Sequence, residues 1–220
     1  MQNKINQHVA DQPFTSEELS NLTPDDVFHI LKQGNKEYAE GHLTVRNNLK
    51  RIRESVWGQQ PYAVVVSCMD SRVPVEDIFH RGIGDMFVVR IAGNIINEDI
   101  LGCLEIACKV FGAKLVVILG HEQCGAIQSA IDGVKLGHIA PVLANIQPAV
   151  DSAGAIFNGN KTSSNPAFVD AVCRQHVKHA MDIIRAKSPI LKEMEEKGAI
   201  KIVGGIYQIG TGRVDFWTAN

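Results

Sequence analysis

The sequence predicts an α/β fold in which a mostly parallel central sheet is flanked by helices, with an N-terminal helical arm. Three short runs rich in β-branched residues, at 63–67, 86–89 and 115–119, are apolar throughout, as in strands that are covered on both faces. Helical stretches separate these runs, and a fourth apolar run follows at 201–208. This alternation of strands and helices indicates parallel strands joined by right-handed crossovers.

The N-terminal region is expected to form the arm. Residues 1–22 are polar, and we expect them to be loosely ordered until they dock on something. A helix is predicted to begin at Thr23-Pro24-Asp25-Asp26, where a capping threonine precedes proline and two acids, and to end near Gly41. We expect the arm and helix, residues 1–41, to lie across another subunit.

The remaining elements complete a single domain over residues 1–220. Helices are predicted at 99–111, 125–132 and 167–187. The α/β core is expected to span 62–209, and the C-terminal extension 210–220 to turn back as a hairpin over 211–217.

Composition and charge limit the classes of partner. With 45% hydrophobic and 21% charged residues, the chain has the composition of an ordinary globular protein. A net charge of −2 provides no basic field for nucleic acid or anionic lipid. The apolar runs are too short to span a bilayer. We therefore expect a small-molecule partner or another copy of the chain, with no nucleic acid and no membrane.

The cysteine count favours a reducing, cytoplasmic setting. Five cysteines are an odd number, and a chain of 220 residues does not need disulfides for stability. The first residues contain no apolar segment typical of a signal peptide, so we expect no secretion.

Polar residues follow three of the predicted strands at their ends. Cys68 follows the first strand, Arg90 the second and Gly120-His121 the third. Ligands of open α/β sheets bind beyond the carboxyl ends of the strands, so these residues are expected to meet at one edge.

The chemistry of these residues favours a catalytic zinc site. Cys68, His121 and Cys124 provide two thiolates and an imidazole, a donor set that suits Zn²⁺, and three protein ligands leave a fourth position open. In an extended chain, Cys68, Asp70 and Arg72 point the same way, so Asp70 and Arg72 could pair beside the metal.

The other cysteines and histidines are not assigned to the site. Cys103, Cys108 and Cys173 are each expected to be small buried core residues. The remaining histidines are interpreted as surface or interface residues, with His176 on a solvated helix face: His29, His42, His80, His138, His176 and His179.

Three motifs closely resemble those of the β-class carbonic anhydrases, over residues 24–209. They are Ser67-Cys68-Met69-Asp70-Ser71-Arg72-Val73, the stretch 84–94 with Arg90 and Ala92-Gly93-Asn94, and Gly120-His121-Glu122-Gln123-Cys124-Gly125-Ala126. The resemblance implies a zinc-dependent hydro-lyase that interconverts CO₂ and bicarbonate, releasing a proton, by zinc-bound hydroxide. It also implies one zinc per chain on Cys68, His121 and Cys124.

The resemblance also implies roles for further residues. Asp70 and Arg72 form a catalytic dyad, and Asp70 becomes the fourth zinc ligand in a closed form. The implied substrate-binding residues are Gln59, Phe87, Ala92 and Gly125.

Three positions depart from patterns found in the family. Ile91 replaces an asparagine after the arginine, and Ile106 stands where some members have tyrosine. Val65 replaces the tryptophan of the subgroup that has a bicarbonate effector site, which favours an open, non-allosteric enzyme. Relatives are dimers or larger, so a homodimer or homotetramer is expected.

Three alternatives stay open at this point. A hydrolase of the same fold that acts on CS₂ or COS would have the same ligands. A structural zinc domain that binds proteins would close its site with a further cysteine. A thiol redox protein would carry a Cys68–Cys124 disulfide instead of zinc.

Overall fold

A computed structural model describes residues 14–42 and 47–218 and confirms the α/β prediction. A five-stranded sheet has the order β2-β1-β3-β4-β5, in which the first four strands are parallel and β5 is antiparallel to β4. The strands are β1 (Ala63–Ser67), β2 (Met86–Arg90), β3 (Leu115–His121), β4 (Lys201–Tyr207) and β5 (Val214–Thr218).

Helices cover both faces of the sheet. They are α1 (Ser16–Ser20), α2 (Pro24–Ala39), α3 (Asn48–Ser55), α4 (Val75–Ile78), α5 (Glu98–Glu105, continued by a π-helical turn Ile106–Val110), α6 (Gly125–Ile131), α7 (Ile139–Ala144), α8 (Gln147–Ile156), α9 (Pro166–Lys187) and α10 (Pro189–Glu196). A 3₁₀ turn, Ala92–Asn94, follows β2. The three helices predicted in the core are confirmed, and within the described ranges no helix is long and apolar enough to cross a membrane.

The sheet separates two hydrophobic cores. Alternate side chains of β1 enter opposite cores, with Val64 and Val66 facing α5, α6 and α9, and Val65 facing α2 and α4. All five residues of β1 and all seven of β3 are buried, which explains why both strands are apolar throughout.

The N-terminal region differs from its prediction. Thr15 and Glu18 form a capping box on α1, and Phe14 and Leu22 are buried, so the described part of 1–22 is packed rather than loosely ordered. The apolar stripe of α2 is buried against the chain's own sheet, so it is not the surface that would lie across another subunit. Residues 1–13 of the predicted arm lie outside the described residues.

The C-terminal residues form part of the sheet. The predicted hairpin is confirmed, because β5 pairs antiparallel with β4, with Tyr207 opposite Val214. The predicted extension is therefore the fifth strand.

Glycines allow α9 to lie close to the sheet. A Cβ added at Gly120 would lie 2.9 Å from Cys173 Sγ and 2.9 Å from Val177 Cγ2. One added at Gly204 would lie 2.8 Å from Val177 Cγ1. These contacts fix the distance between α9 and the strands that lead to the polar edge.

A third close contact joins α2 to the residue after α4. A Cβ at Gly34 would lie 1.9 Å from the carbonyl oxygen of Phe79. Since the obstacle is backbone, the helix itself would have to move to accommodate a methyl group.

We expect Gly34→Ala to lower the free energy of unfolding by about 3 kcal/mol, because the helix must separate from the body of the domain. Gly102→Ala in α5 is the matched control, since a Cβ there meets no atom within 4 Å. That change should raise stability by up to about 1 kcal/mol through helix propensity. Urea denaturation measures both variants, and equal stability for the two would contradict the packing argument.

Candidate metal centre

The strand register brings the three predicted metal-ligating residues together. Ser67 pairs with Leu119 on one side and with Arg90 on the other. Cys68, one residue beyond Ser67, therefore lies beside the end of β3, which carries His121. All three side chains are buried, with exposed fractions of 5% for Cys68, 0% for His121 and 1% for Cys124.

The donor atoms fit a metal ion. The sulfur and imidazole atoms of the cluster all lie within 4.8 Å of one another. The two sulfurs are 3.9 Å apart, close to the separation of about 3.8 Å that tetrahedral Zn–S bonds of about 2.3 Å require.

The tautomer of His121 also fits a metal ligand. Its Nδ1 lies 2.8 Å from the carbonyl oxygen of Glu122, which can only accept, so Nδ1 carries the proton. Nε2 then presents a lone pair to the two sulfurs, and it is buried without a hydrogen-bond partner among the described residues. A metal ion would satisfy this atom.

The two thiols are unequal without a cation. Cys68 accepts hydrogen bonds from Cys124 and from the Gly93 N–H, and these lower its pKa to about 4. The same interaction with Cys68, together with burial, raises the pKa of Cys124. A bound cation would favour thiolates at both positions.

Asp70 lies beside the cluster and is held by Arg72, as predicted. Arg72 Nε donates to Asp70 Oδ1 at 3.0 Å and Nη2 donates to Oδ2 at 2.8 Å, a bidentate pair. The Arg72 side chain is the main reason that the pKa of Asp70 is lowered well below its usual range. Asp70 Oδ2 lies 4.0 Å from His121 Nε2, so an ionised carboxylate borders the cluster.

Arg90 supports the loop that carries Cys68 and Asp70. Its guanidinium donates to the carbonyl oxygen of Cys68 at 3.2 Å and to that of Asp70. The sequence marked Arg90 only as a polar residue at a strand end. Its hydrogen bonds to the backbone were not predicted, because contacts with carbonyl oxygens produce no residue pattern in a sequence.

Further contacts come from the 3₁₀ turn and from α9. Gly93 N–H donates to Cys68 Sγ at 3.4 Å, and His176 Nε2 lies 2.7 Å from the Gly93 carbonyl oxygen. The interpretation of His176 as a solvated residue was therefore wrong. His80 is also buried and contacts Glu37 at 2.9 Å.

The other cysteines lie outside the cluster. Cys173 donates to the carbonyl oxygen of His121 at 3.6 Å, and burial raises its pKa to about 12. Cys108 is buried as predicted, whereas Cys103 is exposed, against expectation. None of the three joins the metal-binding group found in the described residues, so the structure provides no fourth cysteine to close the site.

The predicted substrate residues are divided between two places. Gly125 begins α6 directly after Cys124, and Ala92 is the neighbour of Gly93. Phe87 instead pairs with Val64 near the amino ends of β2 and β1, where it packs edge-to-face against Phe111. Gln59 precedes the amino end of β1, the opposite end of the strand from Cys68. A single chain therefore brings neither Gln59 nor Phe87 to the cluster.

Comparisons with known proteins agree on one family. A family model described as carbonic anhydrase matches residues 63–214. "Carbonic anhydrase 2" of Mycobacterium tuberculosis is 33% identical over 201 residues, covering 89% of this chain and 93% of the relative. A carbonic anhydrase of Mycolicibacterium smegmatis is 34% identical over 203 residues, covering 90% and 95%.

A solved structure shares the fold. A tetrameric β-carbonic anhydrase from Sordaria macrospora superposes with a TM-score of 0.69 at 22% identity, covering 88% of this chain and 98% of that one.

The geometry predicts which sulfurs a metal ion contacts. In the Co²⁺-loaded protein we expect Cys173→Ala to keep the near-ultraviolet thiolate-to-cobalt absorption band, because this thiol bonds to a backbone carbonyl. Cys68→Ala should lose about half of the band, since one of two sulfurs is removed. A band that weakens equally in both variants would favour the structural zinc site with a third cysteine.

Proposed function

Because the chain belongs to the β-class carbonic anhydrases, we propose that it catalyses the reversible hydration of CO₂ to bicarbonate and a proton. The observation that carries this proposal is the buried cluster of Cys68, His121 and Cys124 with the carboxylate of Asp70 at its border. The cluster supplies three protein donors, the number typical of catalytic metal sites, in which water or substrate takes the fourth position.

Zinc is the metal that we propose for the cluster, one ion per chain. Two sulfurs and one imidazole nitrogen are the soft and borderline donors that zinc prefers, and the 3.9 Å between the sulfurs suits its tetrahedral geometry. When bound, zinc acts as a Lewis acid that makes water more acidic, an effect for which carbonic anhydrases are a standard example.

Asp70 is proposed to orient the water that reacts. Two hydrogen bonds from the Arg72 guanidinium fix the carboxylate in place and lower the pKa of Asp70, so the carboxylate is ionised throughout the neutral range. It can therefore accept a hydrogen bond from the O–H of water. Accepting that bond directs a lone pair of the water oxygen away from Asp70 and toward CO₂.

The Asp70–Arg72 pair also favours the open form of the site, in which Asp70 is not a zinc ligand. A carboxylate that accepts three hydrogen bonds from Arg72, two from the guanidinium and one from the backbone N–H at 2.9 Å, is not available as a fourth ligand. Closing the site would break the bidentate pair, which is a charge-assisted interaction.

The substrate is proposed to lie beside Ala92 and Gly125, with Phe87 and Gln59 supplied by a second chain, since both lie toward the amino ends of their strands. Ala92 and Phe87 offer apolar surface, which suits CO₂ because it has no net dipole. The N–H of Gly125 could donate to an oxygen of bicarbonate.

A homodimer or homotetramer would supply that second chain. Large apolar side chains are exposed along and just beyond α3, on one helical face: Leu49 (67%), Ile52 (48%), Val56 (65%) and Trp57 (95%). On another face of α3, buried Arg51 pairs with Asp85 at 2.6 Å, which fixes the helix to the domain. The tetrameric Sordaria structure supports the proposal. A chain that sediments as a monomer at micromolar concentration would contradict it.

The cellular setting stays a prediction. All five cysteines are free, in agreement with the reducing, cytoplasmic compartment expected from their odd number.

The function predicts that the purified protein contains one zinc per chain and accelerates CO₂ hydration. Activity should rise from pH 6.5 to 9, since the water that zinc would make more acidic must still lose its proton within this range. Stopped-flow measurement with a pH indicator, together with metal analysis, tests both. A protein that contains zinc but hydrolyses CS₂ or COS and does not hydrate CO₂ would be the alternative hydrolase. A zinc-free protein with a Cys68–Cys124 disulfide would be a redox protein.

Asp70→Asn should keep zinc but lower kcat by roughly 10²-fold or more, because an amide that donates toward water cannot orient it in the same way. Asp132→Asn, at the far end of α6, is the control and should keep full activity. Unimpaired turnover in Asp70→Asn would reduce the Asp70–Arg72 pair to a structural role.

A further inference from the structure

The turn between β2 and α5 contacts the metal centre through one hydrogen bond. Gly93 N–H donates to Cys68 Sγ at 3.4 Å. Gly93 has φ +67° and Asn94 has φ +42°, two consecutive residues in the left-handed region. Such a backbone persists only where its surroundings hold it in place. On one side, the turn packs against Ile146, whose Cδ1 would lie 2.8 Å from a Cβ added at Gly93.

His176 contacts the turn from α9. Its Nε2 lies 2.7 Å from the Gly93 carbonyl oxygen, so Nε2 carries the proton and donates. Nδ1 is then a bare lone pair, and it has no hydrogen-bond partner within residues 14–42 and 47–218. Burial lowers the pKa of His176 to about 4, so the ring stays neutral and keeps this tautomer at pH 7.

Stability alone does not explain a histidine at this position. The desolvation penalty of an unpaired buried nitrogen is at least as large as the net gain from one neutral hydrogen bond. Val172 and Ala180, one turn away on either side, are apolar and fully buried. A leucine at 176 would continue this apolar face, but it would leave the buried carbonyl oxygen of Gly93 without a donor. Histidine satisfies that carbonyl and leaves its own Nδ1 unpaired, so its net contribution to stability is small and its distinct effect is on the position of the turn.

We propose that His176 is a positioning residue of the metal centre, which holds the Gly93 carbonyl so that the Gly93 N–H stays on the sulfur of Cys68. The proposal rests on the proposed function, since it takes Cys68 as a metal ligand. Groups that hydrogen-bond to metal ligands orient them and adjust their donor strength. Without the bond from α9, the left-handed turn can relax, and Cys68 loses its backbone donor.

Two substitutions of His176 separate positioning from packing. His176→Leu removes the donor and the unpaired nitrogen together, whereas His176→Gln keeps an N–H at about the same reach. We expect His176→Leu to bind Zn²⁺ about 10-fold more weakly in competition with a chromophoric chelator, and His176→Gln to stay within about 2-fold of the unmodified protein. The Co²⁺ absorption band should shift in the leucine variant alone.

Thermal unfolding of the metal-free protein provides the second readout. We expect the Tm of His176→Leu to stay within about 4 °C of that of the unmodified chain, because the loss of the donor to the Gly93 carbonyl is offset by removal of the unpaired nitrogen. Ile184→Val, two turns along the same buried face of α9, controls for small losses of packing and should bind Zn²⁺ normally. His176→Met serves as a second donor-free variant if the leucine variant does not fold.

The outcomes that overturn the proposal are distinct from failure of the proposed function. Unchanged Zn²⁺ affinity in the donor-free variants, or equal weakening in His176→Gln, would show that the N–H does not position Cys68. An unmodified protein that binds no Zn²⁺ would instead overturn the proposed function.

Discussion

The parallel pairing of β1 with β3 is the constraint on which the rest of the structure depends. Ser67 lies opposite Leu119, so the chain segments that follow them leave the sheet at the same edge. A shift of one residue would turn Cys68 to the other face of the sheet and separate it from His121. Burial on both faces fixes this register, because every residue of β1 and β3 is buried and their apolar side chains alternate between the two cores. The chemistry of the cluster is thus a consequence of ordinary apolar packing.

Charge balance is the second requirement at the sheet edge where the cluster lies. Two thiols and the carboxylate of Asp70 lie close together, and they would repel one another if all were ionised. Arg72 neutralises Asp70 from the solvent side, and Arg90 binds the carbonyl oxygens of the same loop. The arginines thus hold the carboxylate and its loop beside the cluster. A cation within the cluster would complete the balance.

The sequence predicts the sheet and the three metal-ligating residues because both depend on local signals. Apolar runs indicate the buried strands, and Cys68 and His121 stand at their ends. Residues whose position depends on long-range packing were not predictable in this way. His176 belongs to a helix whose polar neighbours, Lys178 and His179, suggested a solvated face, yet it contacts a turn 83 residues earlier. Gln59 was assigned to the site from a motif, but a motif does not indicate that the residue lies at the opposite end of β1 from Cys68.

The glycines that face α9 have a consequence beyond packing. Gly120 and Gly204 allow Val177 to approach the sheet, and Val177 is the neighbour of His176 on the same helix. A larger residue at either glycine would push α9 outward. A hydrogen bond of 2.7 Å tolerates little of that movement, so the His176–Gly93 contact would lengthen first. The distance between α9 and the sheet therefore affects the surroundings of Cys68. Substitutions in the core can alter the environment of a metal ligand that they never contact.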